Sequence, residues 1–179
     1  MQRTSTTVVC VVALALLEAV SSAANVRVMV PDPDDAPLDR AVEIASAAVG
    51  AHIPYFVHDA DPLAVVGETW SRFFDGEAPV GALEVAIADV LSRWRVGSLD
   101  LPDYYLVAGA EQLGTTTRHW FGGILHEASP MRVVPVTAHP ESIVRALATL
   151  RPGRWWPLLD RLLDGLERRV PDQVGLRGG

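Results

Sequence analysis

The chain has 179 residues, 49% hydrophobic and 21% charged, with a formal net charge of −7. That size and mixture fit one globular domain able to bury its own core, and exclude disorder, collagen and a disulfide scaffold. All 15 basic residues are arginine, so a Walker-A phosphate loop, a Schiff base and a pyridoxal attachment are excluded, each needing an ε-amine.

The acidic balance argues against a nucleic-acid binder, whose affinity comes from a basic surface. The charge is uneven, with 8 arginines against 5 acids from Met131 onward and 7 against 17 before it. A solvated basic helix explains this, and so does a face that meets an acidic protein partner. The single cysteine, Cys10, excludes an intrachain disulfide and a cysteine-based zinc cluster. It lies in an apolar run without a neighbouring base, the setting of an inert buried thiol.

That run, Val8 to Leu17, follows Arg3 and precedes the small residues Ser21, Ser22, Ala23 and Ala24. The order fits a cleaved secretory signal, and it equally fits a retained helix buried in the core. A single n-region arginine and a strand starting at Val26 favour the retained segment and a cytoplasmic protein; cleavage within residues 1–23 would make it secreted. The run is too short for a stable membrane span. The chain therefore divides into an apolar N-terminal segment at 1–24, one α/β domain at 25–170 and a frayed polar tail at 171–179.

From Asn25 onward, four nearly continuous apolar runs read as strands: Val26–Val30, Ile53–Val57, Tyr104–Ala108 and Arg132–Val136. Continuous rather than alternating apolar character belongs to strands covered on both faces. Pro135 cannot donate to a ladder, which puts the last strand at an edge or ends it there. Helical stripes separate the runs. Leu38, Val42, Ala45 and Val49 form one, stopped by Gly50. Asp61-Pro62 caps a helix carrying Val66, Trp70 and Phe73. Leu83, Ile87, Val90, Leu91 and Trp94 make the next stripe, and Trp120, Phe121, Ile124 and Leu125 another. His139-Pro140 opens a helix with Ile143, Val144 and Leu147, and Pro157 starts a last one with leucines at 158, 159, 162, 163 and 166. This alternation predicts a three-layer α/β domain with a mainly parallel sheet of four to five strands flanked by helices.

In such a sheet, ligands bind where the loops leave the carboxyl ends of the strands. The exits carry Asp32, Asp34 and Asp35, then His58, Asp59 and Asp61, then Glu111, then His139. Oxygen and imidazole donors in that number fit a divalent cation held by Asp32, Asp34, His58 and Asp59, with a metal-bound water attacking an ester or phosphoester. Acids before helices are also ordinary caps. The Asp32-Pro33-Asp34-Asp35 turn resembles the His-Pro-Asp-Asp loop of LmbE-like zinc deacetylases, yet Asp32 stands where the ligating histidine belongs, which excludes that family.

His119 and His126 are seven apart on nearly one helical face, about 10 Å between Cα atoms, too far for a chelating pair. No Gly-x-Gly-x-x-Gly follows a strand, and no Gly-x-Ser-x-Gly elbow is present. Trp155-Trp156, beside Arg154, Arg161 and Arg168, fit either a protein-binding patch or a clamp on the last helix, along which Asp164 would pair with Arg161 and Arg168. Two functions follow: a non-catalytic binding or interaction module, and, as the alternative, a divalent-metal-dependent hydrolase.

Overall fold

The computed structural model describes residues 6–12 and 16–171. Its centre is a five-stranded, all-parallel sheet in the order β2-β3-β1-β4-β5. The strands are β1 (Thr7–Val12), β2 (Val26–Met29), β3 (Tyr55–His58), β4 (Tyr104–Ala108) and β5 (Val133–Val136). The expected α/β layering is present, with one correction at the start of the chain. Residues 7–12 form a strand rather than a helix, and it is the central one, with Cys10 in register with His58 of β3 and Tyr105 of β4. The reason lies in composition: Val8, Val9, Val11 and Val12 are β-branched, and a strand buried on both faces needs apolar side chains at every position.

Helix α1 (Leu17–Val20) and helix α7 (Pro140–Thr149) cover one face of the sheet. Leu17, Val20, Ile143 and Leu147 pack there on Val9, Val11, Val57 and Leu106. The opposite face carries α2 (Pro37–Val49), α3 (Ala64–Phe74), α4 (Val80–Arg95), a helix from Thr115 to Ala128, and α8 (Leu159–Leu163). Trp70, Trp120, Tyr105, Leu125 and Leu159 fill that core. Burying a side chain of this size contributes about 1.5–3 kcal/mol each. Pro135 lies in the edge strand β5, where its missing N–H breaks no ladder on the free side. Among the described residues no helix is long and apolar enough to cross a membrane.

Two helices differ from their sequence pattern. The 115–128 helix begins as α5 (Thr115–His119), winds as a π-helix over Trp120–Leu125, and ends as α6 (His126–Ala128). A π-turn rotates less per residue than an α-turn, so His119 and His126 do not share a face in the manner of an α-helical seven-residue spacing. His119 stacks on Trp70 at 6.0 Å and covers Gly123, while His126 turns towards β4 and β5. The leucine-rich last helix stops at Leu163, because Gly165 takes a left-handed conformation (φ 66°) and a 3-10 turn follows at Leu166–Arg168. Asp164 therefore leaves the helical ladder, and Arg168 pairs with Glu167 at 3.1 Å instead.

Candidate functional site

All five strands point the same way, so their exits gather at one edge, and the connections from β1 and β4 leave in opposite directions there. Ala13, Leu14 and Ala15, which follow β1 in the sequence, lie outside the described residues. The acids of the edge do not converge. Asp32, Asp34 and Asp35 are exposed, and Asp32 accepts a hydrogen bond from the Asp34 N–H at 3.0 Å, closing a local turn. Asp59 is bound by Arg40 at 3.0 Å, with both side chains largely buried. Asp61 accepts from the Leu63 N–H at 2.8 Å and from the Tyr105 hydroxyl at 2.7 Å. The capping role expected of Asp61 thus serves the turn before α3, whose first residue is Ala64. Among the described residues no group of three His, Cys, Asp or Glu side chains could hold a metal ion.

His58 behaves differently from a loop ligand. It is the last residue of β3, 1% exposed, and its side chain lies on the α2 side of the sheet beside Phe56 (ring centroids 6.4 Å apart). Among the described residues neither Nδ1 nor Nε2 has a well-formed hydrogen bond, the Ala60 backbone giving the ring only a weak contact, and Asp59 Oδ1 and Arg40 Nε are likewise unmatched. Burial pushes the imidazole pKa down from its ordinary 6.5 to about 3, offset only in part by the Ala60 backbone. The ring is therefore neutral at pH 7, with one N–H to give and one lone pair to receive.

The imidazole sits in the wall of a cavity of about 120 Å³ between α2 and the segment that leads into β4. Ala41, Ile44, Ala45 and Ala48 of α2 form one side; Val8 of β1 lies beneath; Pro62, Leu101, Pro102 and Trp155 close the other. Small side chains on α2 are what leave the space, since a leucine at any of the three alanine positions would project into it. The remaining polar side chains of the lining are engaged: Thr6 with the Ala51 carbonyl, Asp103 with the Val8 N–H, and Asp100 with the Leu101 N–H.

Burial raises the Asp61 carboxyl from 3.8 to about 6, against the Leu63 N–H and Tyr105 hydroxyl that lower it. Burial likewise pushes the Tyr105 phenol and the Cys10 thiol well above their usual ranges, with Asp61 adding to both, so Cys10 is inert. His58 is legible in the sequence from its place after a strand, whereas Arg40 and Tyr105 carry no local signal, because only the fold brings them to Asp59 and Asp61.

The C-terminal arginine–tryptophan region is split, its tryptophans packed on the protein and its arginines in solvent. Trp156 is buried, donates to the Pro102 carbonyl at 2.8 Å and meets Tyr105 edge-on at 5.8 Å. Trp155 lies under the guanidinium of Arg132 at 4.1 Å. Arg132 in turn donates to the carbonyls of Asp103, Gly153 and Arg154. The side chains of Arg154, Arg161 and Arg168 are exposed. A second, more apolar cavity of about 240 Å³ lies between the π-helical turn and strands β4 and β5, with Arg118 and His126 on its lining. Neither a protein-family model, nor a curated protein, nor a solved structure matches this sequence.

Proposed function

We propose that the chain is a non-catalytic binding module whose ligand occupies the cavity beneath α2. His58 carries this reading. A buried polar group left unmet costs about 1–3 kcal/mol, and such a group in a native fold calls for a reason. A ligand that reaches the imidazole recovers that cost, whereas a purely structural role would be served better by an apolar side chain of the same shape.

Metal-dependent hydrolysis by Asp32, Asp34, His58 and Asp59 is less well supported, since Asp32 serves its own turn and Asp59 serves Arg40. Docking of a protein partner on Arg154, Arg161 and Arg168 is also less well supported, because Trp156 is buried and Trp155 is half-buried under the Arg132 guanidinium.

A fragment screen by ¹H–¹⁵N NMR on the full chain tests the reading. Fragments that bind are expected to move the amides of Ala41, Ile44, Ala48 and His58 together. A screen in which every hit leaves these amides in place refutes it. Millimolar Mg²⁺, Mn²⁺ or Zn²⁺ should leave Tm unchanged, and a cation-dependent rise would restore the hydrolase reading.

A further inference from the structure

We infer that the cavity takes a neutral one-ring compound with a single hydroxyl, a phenol in chemical class, whose hydroxyl meets His58 while its ring fills the space beside α2; the inference rests on the binding reading above. Size sets the first limit. A cavity of about 150 Å³ lined by apolar side chains accommodates benzene, and this one, at about 120 Å³ and open on one side, matches a single ring. The wall sets the second. Ala41, Ile44, Ala45, Ala48, Val8 and Pro62 offer carbon to the ring, so most of the ligand surface must be apolar.

Charge sets the third limit. Among the described residues the charged side chains of the lining are Asp100 and Asp103, with no cation beside them, so there a carboxylate or phosphate would be desolvated without a counter-charge. His58 sets the last. Its buried ring offers one donor and one acceptor; among the described residues the donor has only a weak contact with the Ala60 backbone and the acceptor has no partner. A hydroxyl both donates and accepts, so it satisfies either tautomer, while a methyl group of similar volume satisfies neither.

Phenol, toluene and benzoate, titrated separately into the ¹⁵N-labelled full chain at pH 7, distinguish these features. Phenol is expected to bind about 10-fold more tightly than toluene, the worth of one hydrogen bond, and benzoate not to saturate the cavity amides. Phenol should also shift the His58 ring nitrogens in long-range ¹H–¹⁵N spectra, which toluene should not; this readout needs no variant. In His58→Leu the preference for phenol should collapse to near parity. Equal binding of phenol and toluene to the unaltered chain, or tighter binding of benzoate, overturns the ligand class and leaves the cavity a binding site. If none of the three moves the cavity amides, the inference fails; if the broader fragment screen also finds no binder there, the binding reading fails with it.

Discussion

Replacing Asp61 with asparagine should make the protein more sensitive to acid relative to the unaltered chain between pH 6 and pH 4, and His58→Asn should do the reverse. The Asp61 carboxyl titrates near 6 in the folded protein against 3.8 as its ordinary value. Between those values the folded state holds a proton that the unfolded chain has released, so stability falls as pH rises through the window. His58 is displaced the other way, from 6.5 to about 3. Over the same interval the unfolded chain holds the extra proton, and stability rises with pH. One proton corresponds to about 1.4 kcal/mol per pH unit. The two slopes are opposite and nearly equal, so in the unaltered chain they cancel.

The variants separate them. Relative to the unaltered chain, Asp61→Asn should gain about 2 kcal/mol of unfolding free energy on going from pH 4 to pH 6, and His58→Asn should lose about as much. The double variant should run parallel to the unaltered chain. The other groups beside this pair are common to all four proteins: the Arg40–Asp59 ion pair, and the Tyr105 hydroxyl and Cys10 thiol, which burial keeps protonated throughout the window. Urea denaturation at pH 4, 5 and 6 measures the differences. Single-variant curves that run parallel to that of the unaltered chain would refute the assigned burial of both groups.

Three further outcomes follow from the packing. A Cβ at Gly67 would lie 2.6 Å from Nε1 of the buried Trp120, so Gly67→Ala should cost about 1–3 kcal/mol by overpacking, read as a lower urea midpoint at unchanged slope. Arg132→Met removes the donors to three backbone carbonyls and the cation over Trp155, and should cost about 3 kcal/mol with a change in tryptophan fluorescence; an unaltered midpoint would mean that these bonds are not maintained in solution. Deleting residues 1–23 removes β1 and splits the sheet into the pairs β2-β3 and β4-β5. The shortened chain should show no cooperative thermal transition, and a folded one would refute the central place of β1.

Much of the architecture is readable in the amino-acid order. Apolar runs without alternation at 104–108 and 133–136, separated by helical stripes, are enough to specify a parallel sheet between helical layers, because only strands covered on both faces dispense with polar positions. Pro135 in the last run marks the edge for an equally local reason. The segment at 7–12 shows where local reading stops. A short apolar run suits a buried helix or a central strand, and its pairing with two strands more than forty residues away decides between them.

The candidate site divides in the same way. The sequence by itself supplied His58 at the end of a strand and acids ahead of helices, which are local facts. That Asp59 belongs to Arg40, that Asp61 belongs to Tyr105, and that the His58 ring faces alanines of α2 with no well-formed hydrogen bond among the described residues are properties of the packed molecule. Each depends on side chains brought together across strands and layers, and a hydrogen bond or a cavity exists only where the folded chain places two distant segments within a few ångströms of each other.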